Sequence, residues 1–202
     1  IYRSKSLNLY SCFFAIAAIL FSVFALFGFL KLKIRNKGLL FFVFSVICFI
    51  ARTAMIYFKF PAVFYDTSLY DASIFANADS FYFTYLGDVL VNSVLIFGLS
   101  VFVYKTKYEI SKYSKTVNIS VYAIGLALAI YFSYNIRFLI FSLVNNSTIS
   151  YNINELFSFS RYSLVGLLSV AMMMFAFYLL LEKTVLIILR NERITRILIL
   201  IF

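Results

Sequence analysis

Four of the eight acidic residues in this 202-residue chain fall within one aromatic stretch, Tyr65 to Ser93, YDTSLYDASIFANADSFYFTYLGDVLVNS. They are Asp66, Asp71, Asp79 and Asp88. Carboxylates can ligate metals, act in pairs as general acid and base, or neutralise buried cations. Asp66, Asp71 and Asp79 follow no metal-ligand spacing, and the chain has no histidine. Imidazole is therefore missing as ligand, base and phosphoacceptor. Cys12 and Cys48 stand singly in apolar runs and make no CxxC pair, so they read as small hydrophobes. No catalytic residue, metal set or cofactor-binding motif is assigned. What remains for these side chains is ion pairing and hydrogen bonding, and there Asp88 stands out beside Arg52, Asn92 and Arg137.

Those four residues lie inside apolar runs, where a charge is costly and usually has a reason. The composition is 64% hydrophobic and 13% charged, against about 25% charged in soluble domains. Mean hydropathy is +0.97. An integral membrane protein is expected. The runs are twenty residues or longer and uniformly apolar. That suits helices, whose backbone is satisfied internally, and not the alternating ten-residue strands of a barrel. The expected fold is an all-α polytopic transmembrane bundle forming one domain over 1–202. Its helices fall at about 7–30, 39–58, 84–104, 117–144 and 161–181, with a sixth beginning at 197–202. The ends, Ile1 and LILIF, read as those of an internal piece of a longer protein.

Basic residues set the expected orientation. The linkers after the first, third and fifth runs carry four Lys or Arg each: Lys31, Lys33, Arg35, Lys37; Lys105, Lys107, Lys112, Lys115; Lys183, Arg190, Arg193, Arg196. The linkers after the second and fourth carry Lys59 and none. The N-terminal end is then outside and the basic linkers cytoplasmic, although Arg3 and Lys5 weigh slightly against this. The net charge of +10 is explained by these loops, in contact with the bilayer, without nucleic acid.

In that orientation the 59–83 segment is an extracytoplasmic aromatic and acidic cap, a short interfacial helix or reentrant turn. Arg52 and Asp88 lie at one depth, roughly 6–9 Å below the outer boundary. Asn92 is one turn after Asp88 on the same helix face. Two arrangements are open. Arg52, Asp88, Asn92 and Arg137 line an outward polar pocket whose two cations and one acid favour an anion. Alternatively, the arginines reach up to headgroups and Asp88 pairs or caps locally. Asn146-Ser147-Thr148 matches a glycosylation acceptor, a frequent chance pattern. The methionines of GLLSVAMMMF, 166–175, read as apolar filler.

The order of a basic short loop, an apolar run with an arginine, and the aromatic stretch resembles the multi-pass membrane region of large sensor histidine kinases of Bacteroidetes bacteria. The matching residues are Phe60, Pro61, Phe64, Leu69, Tyr70, Ala72, Ser73, Leu86, Gly87, Asp88 and Asn92. Asp71 and the segment 77–80 depart from the pattern, and the resemblance covers about residues 7–105. It implies a bacterial inner-membrane segment between a periplasmic domain and cytoplasmic sensor and kinase domains of the same chain, and a homodimer among the expected assemblies. The family's phosphoaccepting histidine and ATP-binding motifs have no counterpart here. ATP-dependent kinase activity would belong to the parent protein.

The leading functional expectation is thus a sensory and transmission segment in two-component signal transduction. Two alternatives stand beside it. A transporter or channel subunit would want polar residues or broken helices at mid-membrane, whereas stretches such as LALAIYFS and SVAMMMFAF are smooth. A membrane enzyme acting on lipid-linked substrates would want paired carboxylates or a histidine at the interface.

Overall fold

The computed structural model describes residues 2–105, 115–148 and 160–189. Among them the structure is helical, with no strand and only isolated bridges. The long helices are α1 (Tyr2–Lys33), α2 (Lys37–Phe58), α4 (Leu86–Lys105), α5 (Lys115–Asn145) and α6 (Arg161–Leu189), and α3 (Ala62–Tyr65) is a single turn. Four stretches of these are long and apolar enough to cross a membrane: Phe14–Lys33, Lys37–Phe58, Leu86–Lys105 and Arg161–Leu186. The chain divides into two compact units, with the boundary inside α4 after Asp88.

In the first unit, α1 and α2 are joined by three residues. Asn36 caps α2, its Oδ1 accepting from the Gly38 and Leu39 amides at 2.9 and 3.3 Å. This satisfies two of the donors a helix start leaves open. Phe27 of α1 meets Phe44 of α2 edge to face, with ring centroids 5.4 Å apart.

The end of α2 is a Schellman turn. Lys59 is left-handed at φ 48°, its amide donates to the Ile56 carbonyl, and the Phe60 amide donates to Met55. Pro61 follows and ends any continuation. Lysine thus occupies a position that usually takes glycine, because the two closing hydrogen bonds require that backbone.

Residues 59–85 form a folded connector. After α3 comes a 3-10 turn, Ser68–Tyr70. Asp71 then closes a side-chain turn, its Oδ1 accepting from the Ser73 amide at 2.9 Å and hydroxyl at 2.7 Å. An antiparallel bridge joins Ala76 to Tyr85, and the Asn77 amide donates to the Thr84 carbonyl at 2.9 Å. The connector docks on the last turns of α2. The Tyr65 hydroxyl donates to the Met55 carbonyl at 3.0 Å, and the Tyr82 and Thr53 hydroxyls lie 3.1 Å apart. Phe75 is fully buried. Asp66, Asp71 and Asp79 are exposed, so of the unit's four acids only Asp88 is buried.

In the second unit α5 packs along α6. Phe132 and Phe177 stack with planes 5° apart, and Phe97 of α4 meets Phe175 of α6 at 5.8 Å. Ser93 and Ser169 are fully buried and return their hydroxyls to carbonyls one turn back. Small residues of this kind let helices approach closely. A Cβ on Gly125 of α5 would stand 3.0 Å from Thr184 of α6.

The expected helix at 161–181 is corrected at its end. α6 continues eight residues further, to Leu189, through EKTVLIIL. That stretch has neither glycine nor proline, and its apolar residues continue the helix. The first part of the expected basic linker is therefore helical. The expected run at 197–202 and Arg190, Arg193 and Arg196 lie outside the described residues.

Candidate functional site: a buried ion pair at the start of α4

The local sequence Tyr85-Leu86-Gly87-Asp88 does several jobs at once. Tyr85 precedes the first helical residue of α4, and Asp88 is the third residue of the helix. Its Oδ2 reaches back to accept from the Tyr85 amide at 3.3 Å, the reciprocal half of a capping box. A negative charge in this first turn also suits the positive end of the helix. Leu86 is fully buried. Gly87 leaves room for Tyr70, since a Cβ there would collide with three atoms of the tyrosine ring.

The other oxygen of Asp88 meets α2. Arg52 Nη2 lies 2.6 Å from Asp88 Oδ1, and the two side chains are 4% and 2% exposed. It is the one ion pair among the described residues. Burial on both sides makes it expensive to form and more expensive to break from one side. The phenols of Tyr65 and Tyr70 are close enough to feel the charges of both Arg52 and Asp88. Their rings pack 4.4 Å apart, and Tyr70 stands 6.0 Å from Tyr85. Burial pushes the Tyr70 phenol far above its ordinary value. The Asp88 charge adds to this and Arg52 offsets part of it. Tyr65 is raised for the same reasons, burial first.

The network thus joins α2, the connector and the first turn of α4. It holds no nucleophile beside a base, and no group of three metal-ligating carboxylates or thiols occurs among the described residues. Its chemistry is electrostatic: it holds three segments in one arrangement.

The structure brings Arg52 and Asp88 together. Asn92 and Arg137 belong to the second unit, where Asn92 is buried and Arg137 is exposed on α5. Asn135, two residues from Arg137, donates to the Tyr131 carbonyl of its own helix. In the sequon, the exposed Asn146 donates from Nδ2 to Ser142 Oγ at 3.3 Å.

Sequence reasoning missed the tyrosines. The signal was present in Gly87, a glycine inside a helix, which often marks a close neighbour. It also missed a second polar joint. Tyr104, near the end of α4, donates its hydroxyl to Glu182 Oε1 at 3.2 Å, and Lys183 Nζ donates to the Tyr104 carbonyl at 2.9 Å. That carbonyl is one of those a helix end leaves without an intrahelical donor. Glu182 and Lys183 fall in the expected linker, where nothing in the sequence points to a partner on α4.

Comparison with models of protein families, with curated proteins and with solved structures finds no match for this chain. The described structure therefore defines the class: an all-helical protein with four helices suited to crossing a membrane.

Proposed function

We propose that this chain is the membrane-embedded sensory and transmission segment of a two-component histidine kinase. In this reading the 59–85 connector receives the stimulus on the extracytoplasmic side of a bacterial inner membrane. The Arg52–Asp88 pair is the latch whose state is passed on. The alternation of basic linkers supports the orientation, and the motif around Tyr70 and Leu86-Gly87-Asp88 supports the family.

One observation carries the transmission reading. The half-buried Tyr65 and Tyr70 of the connector stand beside the buried pair of Arg52 on α2 and Asp88 on α4 and feel both its charges. A stimulus that favours another connector arrangement must disturb the pair, and with it two helices suited to crossing the bilayer. Such a stimulus shifts the balance only by its difference in affinity for the two arrangements.

The test uses the natural full-length protein in membranes. Labelled ATP is supplied, and acid-labile phosphate is measured for the wild type and for Asp88→Asn. Incorporation that changes with the substitution is expected. No incorporation by folded protein across a range of stimuli rejects the kinase reading. Incorporation indifferent to Asp88→Asn rejects the latch.

A further inference from the structure

We propose that the turn between α1 and α2 is a binding site for anionic phospholipid headgroups. Lys31 and Lys33 lie in the last turn of α1, Arg35 lies in the connection, and Lys37 is the first residue of α2. Four cations thus fall within seven residues, and all four are exposed. Lys33 stands over the Phe29 ring at 5.3 Å, and none of the four forms an ion pair among the described residues.

Within the first unit the sequence supplies no nearby countercharge. No acidic residue precedes Asp66. Within the first unit all four acids follow the far end of α2, whose 22 residues rise about 33 Å. That exceeds the roughly 10 Å over which exposed charges interact in salt.

The placement of Lys37 adds a second argument. The N-terminus of a helix is its positive end, where acids are favoured. The first turn of α2 has none. Asn36 caps two amides with a neutral oxygen, which leaves the charge of Lys37 uncompensated. The positive helix end and the four cations therefore sum at one point, which an anion would relieve.

The location selects the anion. Both flanking helices are long and apolar enough to cross a membrane. Their three-residue connection gives the cations no length of chain with which to leave the headgroup layer. A phospholipid offers a phosphate at that level and acyl chains along the exposed apolar residues Phe29, Leu32, Leu39 and Phe42. Inorganic phosphate offers only the first.

The experiment measures lipid retention by the full chain, purified in neutral detergent and mixed with phosphatidylglycerol or phosphatidylcholine, by native mass spectrometry. Preferential retention of phosphatidylglycerol is expected, and its release by 0.5 M salt. Arg35→Gln with Lys37→Gln should weaken retention by about fivefold per charge removed. Arg35→Lys with Lys37→Arg should preserve it. Equal retention of the two lipids overturns the proposal, as does indifference to the glutamine pair. Inorganic phosphate competing as well as the lipid overturns the choice of occupant. Should the glutamine pair not fold, the salt series on the wild type decides: retention of phosphatidylglycerol unchanged by salt overturns the site.

Discussion

Arg52 and Asp88 stand 36 positions apart in the chain and meet at 2.6 Å with almost no exposure. Asp88 spends one oxygen on Arg52 and the other on the amide that opens its own helix. Helix capping and helix–helix pairing therefore depend on one carboxylate.

Removing that carboxylate should be costly. Asp88→Ala leaves a guanidinium buried without its acid, and such losses run to about 3–5 kcal/mol. Asp88→Ala combined with Arg52→Leu should recover most of this, less the cap, which is worth about 1 kcal/mol. Folded yield and thermal midpoint in detergent measure both. A single variant as stable as the wild type would show that the pair contributes nothing.

Gly87→Ala should destabilise through Tyr70. The added methyl has no room unless the ring moves, and overpacking of this kind costs about 1–3 kcal/mol. Tyr70→Ala on its own loses packing. In the Gly87→Ala background it should cost clearly less, because the collision is gone. A double-mutant cycle reads the coupling, and strict additivity would contradict the close approach.

Lys59→Gly should stabilise. A non-glycine residue in the left-handed region costs about 1–2 kcal/mol. Glycine gives back about 0.5–1 kcal/mol in unfolded-chain entropy. The net gain is about 0.5–1 kcal/mol, since Lys59 is exposed and its side chain is dispensable to the turn. The thermal midpoint should rise, and a fall would mean that the lysine side chain supports the connector.

Alkaline pH should weaken the first unit. Tyr65 and Tyr70 have raised pKa values in the folded chain, while the unfolded phenols titrate near 10. Above that pH the unfolded state loses protons that the folded state keeps, so stability is complete below pH 10 and falls as pH rises beyond it. Absorbance titration of phenolate should show Tyr70→Phe removing a late-ionising group. Stability flat through pH 11 would contradict the burial.

At the other end of α4, Lys183→Met should cost about 0.5–1.5 kcal/mol, because the Tyr104 carbonyl loses its donor. Tyr104→Phe should cost no more than this, since only its hydroxyl bond to Glu182 is lost. Unfolding midpoints in one detergent compare the two. A larger effect of Tyr104→Phe would reverse the assignment of which bond anchors the joint.

Legibility from sequence followed locality. The long helices were readable because each apolar run states its own period and length. α6 runs past its expected end because Glu182 and Lys183 mark the end of the apolar run but not of the helix, charged residues being good helix formers. Arg52 and Asp88 were readable as partners because helix rise converts sequence distance into depth. Tyr65 and Tyr70 were not readable, because the connector has no period from which to infer which way a ring points.

The sequence by itself determined that the chain is helical and apolar, that its cations gather in short linkers, and that one acid and one arginine share a depth. Only the tertiary structure decided that the connector folds back onto α2, that Tyr70 fills the space Gly87 leaves, and that Arg137 stays exposed while Arg52 is buried. The reason is physical. Hydropathy and helix rise act within a segment, whereas the choice of partner depends on the path of an irregular chain, which no local pattern encodes.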